Sequence, residues 1–123
     1  MIISDLHDGM IPGGETEAGL RKRVLMGVLA EHEAQRLGLV VGDEAVAAAS
    51  RWFRGRFDLL RKDDMIGFLE FAGLDLAEYT RAIRALTTLD AVQRHHAPAI
   101  DAGLPRQRAL LSVREWLLRK EGV

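Results

Sequence analysis

Phe71-Ala72-Gly73-Leu74-Asp75-Leu76-Ala77-Glu78-Tyr79 is the stretch whose reading decides the fold. Gly73 suits the left-handed position that ends a helix, because a residue without Cβ adopts positive φ at no steric cost. Two residues on, Asp75 offers the short acceptor side chain that caps a helix start. Glu78, three residues further, completes a capping box, and Leu74 and Tyr79 stand at the staple positions around it. A helix stop and a helix start this close together predict an α-α connection.

The same grammar recurs on both sides. Upstream, Asp63 reads as the cap of a short helix carrying Ile66, Leu69 and Ala72 inward. Before it, a helix starts after Gly42, with Asp43 and Glu44 complementing the dipole of its first turn. Val46, Ala49, Phe53 and Phe57 form its buried stripe, and Gly55 weakens its last turn by up to ~1 kcal/mol relative to alanine. A first long helix spans about 16–37, capped by Thr16 and ended by Gly38, with Leu39 as the apolar contact beyond. Leu20, Val24, Leu25, Val28, Leu29 and Leu37 make its expected inner face. Residues 1–15, with Pro12, Gly13 and Gly14, show no sustained period and read as an irregular arm.

Downstream, the helix capped by Asp75 runs through Ile83, Leu86 and Val92 to about His96, where Pro98 opposes continuation. A connector is expected over 97–104. Pro105 then opens a closing helix, 105–121, with Leu110, Val113 and Leu117 facing in. No segment alternates at period two. The predicted fold is all-α: a single-domain bundle of about five helices, with a four-helix unit over 16–96 closed by the fifth.

Composition narrows the function classes. The 123 residues include 48% hydrophobic ones, enough for a core without staples, and no cysteine, which removes disulfide frameworks, zinc ribbons and thiol nucleophiles. A net charge of −1 gives no global attraction to nucleic acid or anionic lipid. No apolar run approaches the ~20 residues that span a bilayer. The early acids Asp5 and Asp8, with no basic segment before an apolar stretch, predict a cytoplasmic protein rather than an exported or membrane one.

Candidate chemistry is sparse. His95 and His96 are adjacent, so on a helix they point about 100° apart and do not chelate as an i, i+4 pair would. Glu31-His32-Glu33 would have to meet them in space, and no metal-ligand spacing appears. A small helical enzyme subunit built on His32, His95 or His96 is the least favoured expectation. Ser4, Ser50 and Ser112 lack the context of a nucleophile elbow. Asp63-Asp64 and Asp43-Glu44 are explained by helix starts, so no catalytic residue, metal or cofactor is expected. Residues 65–84 also admit a helix-turn-helix reading, with Gly73 in the turn and Arg81 and Arg84 on the recognition helix. Leu69 opposes it, standing where that motif favours a small side chain; a small DNA-binding regulator is the alternative function.

The most unusual local composition is Arg51-Trp52-Phe53-Arg54-Gly55-Arg56-Phe57, followed by Arg61-Lys62: five cations in 51–62 against the single acid Asp58. Such a segment contacts phosphates or acidic peptides, or else snorkels its arginines over Trp52 at the surface.

The segments Ala34-Gln35-Arg36-Leu37-Gly38-Leu39, Val41-Gly42-Asp43-Glu44-Ala45-Val46, Phe68-Leu69, Gly73-Leu74-Asp75, Glu78-Tyr79 and Ile83-Arg84 together resemble the helical N-terminal domain of SurA-like chaperones and parvulin-type prolyl isomerases. The resemblance covers about two-thirds of the chain, Leu20 to His96, and consists mostly of helix-boundary residues. No isomerase domain follows, and Arg106 to Lys120 stands where the returning helix of the chaperone module would. More loosely, the Phe53–Leu60 segment and the acid-capped helix after it look like the C-terminal part of TfuA-like peptide-maturation proteins. Either resemblance implies a non-catalytic accessory that binds a peptide or a partner enzyme between helices. Separately, five short helices often finish their core against a second copy, so homodimerisation is a further expectation. The side chains that break the single-stripe pattern are the candidate contacts: Trp52, Phe68, Phe71 and Trp116, with Arg54 and Arg56 beside them.

Overall fold

A computed structural model of the chain describes residues 16–122. They form five helices and no strand: α1 (Glu17–Leu37), α2 (Asp43–Arg56), α3 (Lys62–Ala72), α4 (Leu76–His95) and α5 (Ala97–Lys120). The expected all-α class is what the structure has. The arm expected over 1–15 lies outside the described residues.

The helix boundaries follow from local chemistry. Thr16 caps α1 by accepting from the Gly19 N–H at 3.0 Å. Gly38, at φ 70°, closes it in the left-handed conformation, and the Leu39 N–H reaches back to the Ala34 carbonyl at 2.9 Å. Gly73 ends α3 in the same way at φ 71°, with the Leu74 N–H on the Leu69 carbonyl at 3.0 Å. Both arms of the capping box are made: the Glu78 N–H donates to Asp75 Oδ1 at 2.7 Å, and the Asp75 N–H donates to Glu78 Oε1 at 3.1 Å.

Two boundaries differ from expectation. Asp63 is not the cap of α3; the helix begins at Lys62, Arg61 holds the cap position without a side-chain bond, and Asp63 and Asp64 lie in the first turn. There they still meet the positive end of the dipole, so the residue type suits the first turn as well as the cap. The connector expected over 97–104 is helical. His96, at φ −100° and ψ 15°, is the only break between α4 and α5. Pro98 falls at the first positions of α5, where its missing N–H would have no helical partner anyway. Pro105 is therefore not a helix start but lies inside α5, where its nitrogen cannot donate to Asp101.

The chain divides into two units, one ending at Val92 and one beginning at Gln93. The core of the first unit joins Val46, Ala49 and Phe53 of α2, Met65 of α3, and Tyr79 and Ile83 of α4. Trp52, Phe57, Leu59, Phe68 and Leu69 pack partly buried against it. Val46, Ala49 and Phe53 of the expected α2 stripe are buried, and Phe57, at the C-cap, is partly so. The α3 stripe is rotated by about one residue: Met65 is buried, whereas Ile66 and Ala72 are exposed. On α1 the buried residues are Ala30 and Ala34, while Leu20, Val24, Leu25, Val28 and Leu29 are exposed. The expected α1 face is thus overturned except at Leu37, which is partly buried; the buried positions are small side chains. The second unit is the end of α4 and α5. Leu110, Val113 and Leu117 of α5, expected inside, are exposed.

Candidate functional site

The first unit contains a cleft of about 450 Å³ lined by Phe53, Phe57, Asp58, Leu59, Asp64, Phe68 and Phe71. It is built by the α2–α3 hairpin. Phe53 of α2 and Phe57 at its C-cap are four apart, and Phe68 and Phe71 are three apart on α3, so each pair lies on one side of its helix. Phe53, only 3% exposed, is the hub. Its ring centroid is 5.0 Å from that of Phe57, 5.7 Å from Phe68 and 5.9 Å from Tyr79, all tilted. Phe68 meets Tyr79 edge-on at 6.3 Å. Such tilted and edge-to-face arrangements add to simple area burial, and they give the cleft a rigid aromatic floor. Phe71, by contrast, is 94% exposed and stands at the mouth.

The remaining wall is the loop after α2. Its shape is held by Arg54, whose Nε donates to the Leu59 carbonyl at 2.8 Å and whose Nη2 donates to the Leu60 carbonyl at 3.0 Å. The Leu59 N–H returns to the Arg54 carbonyl at 2.7 Å. Asp58 takes the left-handed conformation at φ 56°, a position where Asp and Asn are the commonest residues after glycine. The floor is tied from below as well. The Tyr79 hydroxyl and Ser50 Oγ share a 2.9 Å hydrogen bond, and burial pushes the Tyr79 phenol above its ordinary pKa, opposed by Ser50 and the Arg54 charge.

The residues singled out in the sequence have separate fates. Phe68 and Phe71 come together in the cleft. Trp52 is packed against the core on α2 and does not line it. Arg54 shapes the loop, and Arg56 lays its guanidinium 5.8 Å from the Phe57 ring centroid. Trp116, 58% exposed, belongs to the second unit, where Lys120 Nζ lies 5.1 Å over its ring. Phe57, Asp58, Leu59 and Asp64 were not singled out as contacts. Phe57 had been assigned to the core stripe alone, and the i, i+4 and i, i+3 phenylalanine pairs were the signal that both helices present aromatics to one place.

The other candidates do not assemble into a site. Arg84 donates to the Val41 carbonyl at 2.9 Å and to Asp43 Oδ1 at 2.6 Å, so its guanidinium pins α4 to the α1–α2 loop. His95 and His96 meet edge to face with ring centroids 5.0 Å apart, and among the described residues no group of three His, Asp or Glu is placed to hold a metal ion. No helix among them is long and apolar enough to cross a membrane. No family model matches the chain, and neither a curated protein nor a solved structure is significantly similar to it.

Proposed function

We propose that the protein is a non-catalytic module that binds an apolar peptide segment of a partner in the α2–α3 cleft. The observation that carries this reading is Phe71: a phenylalanine left 94% exposed at the mouth of an otherwise aromatic cleft. Exposed single apolar residues are ordinary, but one continuous with a concave aromatic surface marks a contact patch. A rigid floor beneath it favours binding, because little side-chain entropy is lost when a ligand docks. The sequence resemblance to peptide-binding helical domains points the same way.

The test is fluorescence anisotropy of labelled, unstructured peptides of graded apolar content against the full chain. Apolar peptides are expected to bind, and Phe71→Ala to weaken them roughly tenfold, the usual scale for an aromatic anchor. Because Phe71 is so exposed, the variant keeps the unfolding midpoint of the parent. If no peptide binds, or if Phe71→Ala changes nothing, the reading is wrong.

A further inference from the structure

The charges that line the cleft are of one sign. Asp58 and Asp64 border it, and no Lys or Arg lines it. This occurs within 51–64, where five cations stand against three acids, so local composition does not explain it. Local structure does. Arg54 is drawn away to the Leu59 and Leu60 carbonyls, whereas Asp58 is presented by the left-handed turn and Asp64 by the first turn of α3. The phenylalanine faces carry negative π density and attract a cation held above them. The Arg56 guanidinium near the Phe57 ring is an instance within the chain itself.

We infer that the cleft selects a basic apolar peptide, one whose large apolar side chain enters among Phe57, Phe68 and Phe71 while a neighbouring Lys or Arg meets Asp58 and Asp64. This rests on the peptide-binding reading and adds the partner's chemistry to it.

The experiment compares two short peptides with the same leucines and a single tryptophan, one carrying Lys and Arg and the other Glu at the remaining positions. The basic peptide is expected to bind about tenfold more tightly at low salt, the combined scale of two exposed ion pairs. That preference should shrink as salt is raised. The double variant Asp58→Asn, Asp64→Asn should bring the two peptides within about twofold, with Asn keeping the left-handed turn at 58. Equal binding of both peptides, still lost in Phe71→Ala, overturns the basic preference and leaves the peptide-binding reading standing. Tighter binding of the acidic peptide, lost in Arg56→Gln, overturns it likewise. Binding of neither peptide defeats both readings. Self-association that rises with concentration and disappears in Phe71→Ala would show the occupant to be a second copy of the chain, and also overturns the inference.

Discussion

Arg84 shows how one side chain can combine two interactions of unequal worth. Its ion pair with Asp43 is short, but the Asp43 side chain is almost wholly exposed, and such pairs contribute little. Its bond to the part-buried Val41 carbonyl lies where an unmet acceptor costs more. Asp43→Ala is therefore expected to change stability by no more than about 0.5 kcal/mol, and Arg84→Ala to cost about 1–2 kcal/mol, in urea unfolding. Equal losses would show that the ion pair matters as much as the carbonyl. Tyr79 is the residue with a pH consequence. Its phenol titrates higher in the folded protein than in the unfolded chain, so the folded state holds that proton more tightly. The stabilisation is full below the unfolded pKa of about 10 and is lost as pH rises through the folded value. Thermal melts should fall more steeply above about pH 10 in the parent than in Tyr79→Phe, which lacks the group; parallel curves would remove this account.

Among the elements, α1 and α5 depart furthest from what periodicity suggests. Each carries large apolar residues over much of its circumference, and α5 has no buried residue among those described. Amphipathic pattern locates a face that needs cover, but it does not say which of two adjacent stripes a neighbour takes. On α1 the buried positions are Ala30 and Ala34, while the larger Val24 and Leu25 are exposed. On α5 the helix persists through Pro105, which removes one backbone hydrogen bond and crowds the preceding turn. A proline inside a helix costs up to about 3 kcal/mol relative to alanine. Pro105→Ala should slow amide hydrogen exchange across the middle of α5 by at least tenfold, since 1.4 kcal/mol already suffices for that. Unchanged exchange would mean that α5 is already held by something other than its own backbone bonds.

For the molecule as a whole, the first unit depends on a small number of buried side chains centred on Phe53 and Ile83. Phe53→Ala is expected to cost about 3–5 kcal/mol, a large part of the stability of a domain this size. Leu25→Ser, on the exposed face of α1, should stay within about 0.5 kcal/mol. Circular dichroism with chemical denaturation separates the two, and a comparable loss from both would mean that the α1 face is covered in solution. Phe53 also floors the cleft, so its loss should abolish peptide binding together with folding, whereas Phe71→Ala should weaken binding alone.

By itself, the sequence determined the helical class and most helix ends: Thr16, Gly38, Gly73 and the Asp75–Glu78 box act through bonds within a few residues, and no distant partner is needed to read them. It also determined the α2 stripe, whose bulky members lie on a single face. The cleft was legible only in part. Phe68 and Phe71 stand out as aromatics off the main stripe, but Asp58 and Asp64 look like turn and helix-start residues until the loop is folded. Tertiary structure alone decided that Arg84 pins a loop, that Met65 displaces Ile66 from the core, and that the buried positions of α1 are alanines. Each of these is a competition between alternatives nearly equal in local energy, and only contacts between segments distant in the chain could settle it.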